Sequence, residues 1–311
     1  MKAPLRLGIV GVGRMGGLHL QKALHHPSIQ VVALYDTNPT VVQRLMDEGL
    51  PVVSSYEEVL ERAEGIIIAS PTHTHASYAE LALRSQKHIL IEKPATLMLK
   101  ELEDLIALQE EAGVVALVGH VERFNPAFRA LQPYRSELQI FSFERIAPWT
   151  PRGTDASVVM DLLIHDLDLF WALTEGYLAE VRVSACRLRS AKADSIQVWI
   201  DLTDGRGASF LISRIAPQKR RRIIAHGPSL WAEADLLLGT LSLWSLSATE
   251  DPLPLTVPLP YADALMLQLE HFLQCIQEGI PSTLSLQHVY PVMVWVQQVE
   301  MLAERRLVFA P

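Results

Sequence analysis

Asp161 and His165 stand four residues apart in the run Val158-Val159-Met160-Asp161-Leu162-Leu163-Ile164-His165-Asp166-Leu167-Asp168-Leu169. On a helix that spacing puts both side chains on one face, with Asp168 roughly alongside. The residues around them are mostly apolar and demand burial, so these polar groups either line a cleft or are buried against partners. A carboxylate beside an imidazole tunes the ring for proton transfer near neutral pH. The bland alternative is a structural His–Asp pair in a core.

Three further segments carry chemistry. In Glu92-Lys93-Pro94 a lysine follows an apolar strand, where its cation could offset a developing negative charge; such a triplet is also an ordinary solvated loop. Ser70-Pro71-Thr72-His73-Thr74-His75 follows another strand. Its two histidines could suggest a metal, but a third ligand is missing locally, and a wall for a flat cofactor ring fits better. Thr74 could equally cap the helix that follows.

The third is Gly11-Val12-Gly13-Arg14-Met15-Gly16, a GxGxxG pattern between a strand and a helix. The first glycine permits the tight turn, the second lets backbone approach a pyrophosphate, and the third lets helix pack on strand. The helix start offers N–H groups to phosphates. Alone the pattern is weak. Asp36 strengthens it, because it ends the next strand, twenty residues after Gly16. There a carboxylate accepts from an adenosine ribose and repels a 2′-phosphate, favouring NAD over NADP. A glycine turn that binds nothing is the alternative.

These segments need a frame. Apolar runs at 5–10, 31–35, 65–69, 88–91 and 114–118 alternate with helical spacing at 15–25, 40–48, 76–84 and 99–112. That alternation implies βαβ units and a doubly wound parallel sheet, and places the motifs at its carboxyl edge. After Gly119 the texture changes. Helices are predicted at 125–131 and 156–173, and strands at 138–145, 181–188, 195–202, 208–213, 220–225 and 237–245. Asp204-Gly205-Arg206-Gly207 reads as a hairpin turn, and helices at 262–278 and 285–305 close the chain. The expected domains are 1–120 and 121–311.

The chain has 311 residues and a formal charge of −8, which argues against nucleic-acid and anionic-membrane partners. Cys186 and Cys275 form no CxxC pair, and the start of the chain reads as a strand rather than a signal peptide. A reducing, cytoplasmic setting is expected.

Taken together, the GxGxxG turn, the Ser70–His75 segment, Glu92-Lys93-Pro94 and the Asp161-x-x-x-His165 helix resemble the Gfo/Idh/MocA family, the glucose–fructose oxidoreductase and inositol dehydrogenase superfamily. They occur in that family's order. The resemblance implies an α/β chain: a Rossmann domain, then an α/β domain with a large, open, mostly antiparallel sheet. It implies Lys93, Asp161 and His165 in catalysis. Cofactor contacts are expected from Gly11 to Gly16, Asp36, Ser70, Pro71, Thr72, His73, His75, Glu92 and Lys93. No metal is expected.

Gly119-His120-Val121-Glu122-Arg123-Phe124-Asn125-Pro126 and the segment 161–168 look like those of UDP-N-acetylglucosamine 3-dehydrogenases, as do Ser213-Arg214-Ile215 and the basic run 219–222. That implies a sugar, above all a nucleotide sugar, oxidised at a secondary hydroxyl. By residue type Arg123, Asn125, Arg152 and Arg214 become candidates for the substrate, the arginines for its phosphates. A free polyol or monosaccharide dehydrogenase, or a non-catalytic NAD-binding sensor, are the alternatives. An open sheet face must be covered, so a homodimer or homotetramer is expected.

Overall fold

Leu7, Ile9 and Val10 are all but fully buried, as are Ile66 to Ile68 and Ile89 to Ile91. Continuous apolar strands of this kind belong inside a parallel sheet covered on both faces. The computed structural model describes residues 3–150, 156–247, 249, 251 and 254–309. Its first part runs β1 (Leu5–Val10), α1 (Arg14–His25), β2 (Ile29–Tyr35), α2 (Pro39–Asp47), α3 (Tyr56–Arg62), β3 (Gly65–Ile68), α4 (His75–Arg84), β4 (His88–Ile91), α5 (Leu99–Ala112) and β5 (Ala116–Val118). The strands form one parallel sheet in the order β2-β1-β3-β4-β5. The order reverses between β1 and β3, and ligands of such sheets bind beyond the carboxyl ends of the strands at that point.

Helix α3 was not anticipated. Its signal was present: Ser55 Oγ accepts the N–H of Glu58 at 3.3 Å, and Ser54 N–H donates to the Glu58 carboxylate at 3.1 Å. This is the capping-box spacing.

The second part contains α6 (Pro126–Leu131), β6 (Ile140–Ile146), α7 (Ile164–Thr174), β7 (Leu178–Arg187), β8 (Ser195–Leu202), β9 (Gly207–Ser213), β10 (Arg220–His226), β11 (Leu230–Asp235), β12 (Thr240–Ser245) and β13 (Pro254–Val257). Then follow α8 (Ala264–Glu278), α9 (Leu286–Arg305) and β14 (Leu307–Phe309). A nine-stranded sheet runs β13-β12-β11-β10-β6-β9-β8-β7-β14. It is antiparallel except for the β6–β9 and β7–β14 pairs. One face is a core in which Phe170 of α7 meets Phe141, Phe210 and Trp295 edge-on or tilted at 5.4–5.8 Å.

The predicted strand 237–245 begins only at Thr240. Asp235 accepts the N–H groups of Leu237 and Leu238 at 2.9 and 3.0 Å, and Gly239 takes φ +66°. Those residues are the turn of a β11–β12 hairpin, so an apolar run was in part an exposed loop tip.

The chain divides into two compact units, Met1–Val121 with Leu265–Tyr290, and Glu122–Ala264 with Pro291–Pro311. The sequence reading expects 1–120 and 121–311. The segment 265–290 differs, since it groups with the parallel sheet rather than with the rest of 121–311. The Val118 N–H donates to Leu284 O at 2.8 Å, and the Phe272 ring edge lies 3.5 Å from where a Cβ on Gly65 would sit. Among the described residues no helix is long and apolar enough to cross a membrane.

Candidate active site

The glycine turn has a distinct demand at each glycine. Gly11 takes φ +79°, and a Cβ there would lie 2.5 Å from Ser70 N and Cα. The turn after β1 thus rests on the loop after β3, which only a glycine allows. At Gly16 a Cβ would strike the Gly11 carbonyl oxygen, so this residue brings α1 down onto the turn. At Gly13 a Cβ would meet nothing within 4 Å. That position faces open space, as a backbone meant to approach a ligand must. No side chain caps α1, and no acidic residue stands in its first turn. Its leading N–H groups are left for an anion.

Asp36 holds this turn. Its carboxylate accepts the Val12 N–H at 2.7 Å and the Asn38 N–H at 2.8 Å. Gly11, Gly13, Asp36, Asn38, Ser70, Pro71, His73 and Tyr78 line a cavity of about 560 Å³ at the carboxyl edge of the sheet. That is ample for part of a dinucleotide. Val12 is buried, Arg14 is exposed and Met15 half-buried on the first turn of α1. Tyr78 carried no motif; only the tertiary fold brings it here, edge-on to Tyr35 at 6.4 Å.

The two histidines of the Ser70–His75 segment separate. His73 is exposed and lines the cavity. His75 is buried, with Nδ1 2.9 Å from Pro94 O and Nε2 2.8 Å from Ser70 O. Burial pushes its pKa down. His75 therefore ties the β3 loop to the β4 loop instead of presenting a ring to a ligand. Thr74 stands at the cap position of α4, but its hydroxyl donates to Pro71 O at 2.8 Å and caps nothing. Thr72 lies in the short turn between them.

Lys93 is half-buried at the end of β4, and its bond to Pro94 is cis. Glu92 is buried behind it. One Glu92 oxygen lies 2.7 Å from His19 Nε2, and the other accepts the Lys93 N–H at 3.3 Å. A Cβ on Gly119 would stand 3.1 Å from that carboxylate. Glu92 thus supports Lys93 from the interior. His19, on the inner face of α1, was missed because nothing in its neighbourhood forms a motif.

In the second unit Asp161 lies in a wider, π-type opening, Val159–Leu163, and His165 in the first turn of α7. Such openings recur at functional sites. Both residues are half-buried among buried Leu163, Ile164 and Leu167. Asp168 is different. It is fully buried and takes a two-pronged bond from Arg123, at 2.7 and 2.8 Å. Asp166 likewise binds Arg145, which also reaches Glu122 at 2.9 Å, and Arg221 meets Glu122 at 2.8 Å. On a helix, Asp166 and Asp168 fall at roughly +100° and −60° from His165. Two buried ion pairs therefore grip α7 on either side of the His165 face.

The substrate candidates of the second unit have intramolecular partners. Arg123 belongs to Asp168. Asn125 caps α6 through the Ala127 N–H at 3.1 Å and donates to Leu236 O at 2.9 Å. Arg214 is buried and binds Asp194, Ala156 O, Ser190 and Ala193 O. Arg123 and Arg214 are buried, and Asn125 is half-buried. Arg152 lies outside the described residues. Among the described residues no group of three His, Cys, Asp or Glu side chains could hold a metal ion.

Residues 5–120 match the model of an oxidoreductase family with an NAD-binding Rossmann fold, GFO_IDH_MocA. The chain is 33% identical to UDP-N-acetylglucosamine 3-dehydrogenase of Acidithiobacillus ferrooxidans, across 89% of this chain and 90% of that one. It belongs to the Gfo/Idh/MocA family. Inositol 2-dehydrogenase of Rhizobium meliloti is 24% identical over 88% of this chain and 89% of its own. The solved structure of the Acidithiobacillus enzyme superposes with a TM-score of 0.92, covering 98% of this chain and 99% of that one at 30% identity. As a Gfo/Idh/MocA oxidoreductase the chain uses a nicotinamide cofactor, and the glycine turn, the uncapped start of α1, Asp36 and the cavity beside them suit it.

Proposed function

We propose that this protein is an NAD-dependent dehydrogenase oxidising a secondary hydroxyl of a nucleotide sugar, with UDP-N-acetylglucosamine at C3 as the first candidate. The observation that carries the reading is the 33% identity to an enzyme of that name along nine-tenths of both chains. Lys93, Asp161 and His165 are all present beside it. The preference for NAD over NADP is supported by Asp36, whose carboxylate is held at the end of β2 by the Val12 and Asn38 N–H groups and would repel a 2′-phosphate there.

In this reading, Gly11 to Gly16 and Asp36 hold the dinucleotide, and the nicotinamide supplies the hydride acceptor. His165 takes the hydroxyl proton, worth about 10²–10⁴ in rate for a well-placed base. Asp161 orients and tunes His165. Lys93 offsets the charge developing on the oxygen, and Glu92 holds its backbone. The relation to an inositol 2-dehydrogenase supports a second reading, a free polyol as substrate.

A homo-oligomer is part of the proposal. The sheet face away from Phe170 exposes Ile140, Trp199 and Leu211 at 54, 37 and 38%, and a face of that kind favours a covering partner. Both thiols are free, which suits a reducing cytoplasm. The test is a thermal-shift panel on NAD-loaded protein with UDP-N-acetylglucosamine, other UDP-sugars, myo-inositol and glucose. Stabilisation and NADH formation by a UDP-sugar are expected. A response to myo-inositol alone would replace this reading with the polyol one. Light scattering on the same sample reads the oligomeric state.

A further inference from the structure

Several arginines in the second unit are neutralised by carboxylates. Arg123, Arg145, Arg206, Arg214, Arg220, Arg221 and Arg222 each meet a carboxylate within 3.2 Å. Arg189 does not. Its guanidinium carbon lies 5.6 Å from the centroid of the Trp149 ring, and it pairs with no carboxylate among the described residues. An aromatic face orders a guanidinium without cancelling its charge. The result is a positioned, exposed cation that meets no carboxylate among the described residues, and such a cation suits a phosphate.

The loop that carries Arg189 is built to hold this shape. Buried Asp194 accepts the N–H groups of Leu188, Arg189 and Ser190 at 2.8, 2.6 and 3.1 Å. It also accepts from Arg214 Nε at 3.0 Å, and Arg214 in turn lies 6.0 Å from the Trp149 ring. Asp194 neutralises Arg214 and fixes the backbone, while Arg189 keeps its charge.

The same cluster has a fixed relation to the helix of Asp161 and His165. Arg214 donates to Ala156 O at 3.0 Å, and the helix starts within two residues of Ala156. At 1.5 Å per residue, Asp161 and His165 lie about 7 and 13 Å further along. A pyrophosphate-linked sugar spans a comparable distance between its ring hydroxyls and its phosphates. We infer that Arg189, seated on Trp149, is the pyrophosphate-binding cation of a nucleotide-sugar subsite. The inference rests on the nucleotide-sugar reading above.

Titration calorimetry on the NAD-loaded protein, with UDP and UDP-N-acetylglucosamine as probes, tests it. Arg189→Gln should weaken both by about ten- to hundredfold, the loss of a charge-assisted hydrogen-bonded pair. Arg189→Lys, which keeps charge but not the planar fork, should fall between, and Trp149→Leu should weaken UDP by loosening the arginine. In steady state the KM for the UDP-sugar should rise more than kcat changes. Because Arg189 is exposed, its variants should melt as the parent does. If Arg189→Gln binds UDP as tightly as the parent, the subsite is overturned while the substrate reading stands. If the parent binds neither probe, both are overturned.

Discussion

The Asp36 carboxylate accepts the backbone N–H of Val12 at 2.7 Å across the sheet edge. One residue therefore shapes the glycine turn and presents a carboxylate to the cavity. The second task rests on the first, since only a fixed carboxylate can discriminate a 2′-hydroxyl from a 2′-phosphate.

Asp36→Ala should accordingly lose affinity for NAD and lose most of its preference over NADP. Binding of both nucleotides to parent and variant measures this. Equal affinity of the parent for the two would remove Asp36 as a selectivity residue.

Gly13 and Gly16 should fail in opposite ways. A methyl at Gly13 meets nothing in the protein but enters the space a phosphate would occupy. Gly13→Ala should melt normally and bind NAD about ten- to hundredfold more weakly, as lost hydrogen bonds to a charged group imply. Gly16→Ala puts a methyl on the Gly11 carbonyl and should cost about 1–3 kcal/mol of stability. Melting curves beside NAD titrations separate the pair.

Lys93→Met keeps the apolar stem and removes the charge. NAD binding should stay within a few-fold, while turnover falls by about two to four orders of magnitude. His165→Asn should abolish oxidation with NAD binding intact, because the amide cannot take the proton. Asp161→Asn should move the acidic limb of the pH–rate profile. If His165→Asn and Asp161→Asn instead lose melting temperature and their folded fractions turn over normally, the pair is structural.

The buried charges behind α7 should show as acid sensitivity. Burial pushes the Glu122 carboxyl up, but Arg145 and Arg221 outweigh it, and the native pKa lies below its ordinary 4.5. Its stabilising contribution is therefore complete above pH 4.5 and is lost as pH falls through the lowered native value. Between pH 7 and 4.5 the urea midpoints of the parent and of Glu122→Gln should run parallel, and below pH 4.5 that of the parent should fall more steeply. Arg145→Met leaves Glu122 and Asp166 buried without that cation, and should cost about 3–5 kcal/mol at pH 7. Urea titrations across this pH range check both variants.

Local pattern was enough for much of this protein. The parallel-sheet strands announce themselves as apolar runs and the glycine turn by its spacing, while Asp36, Lys93, Asp161 and His165 stand out as candidates by residue type and spacing. Each of those signals lies within a few residues along the chain, and a period of two or 3.6 can be read without knowing what packs where. The tertiary structure decided the partners. Arg123, Asn125 and Arg214 look like ligand-binding residues until Asp168, Leu236 O and Asp194 are seen to hold them. His75 looks like a cofactor wall until both ring nitrogens meet buried carbonyls. His19 becomes visible only through Glu92, seventy-three residues away. A side chain's chemistry is set by what reaches it in space, and no window of sequence contains a contact between distant segments.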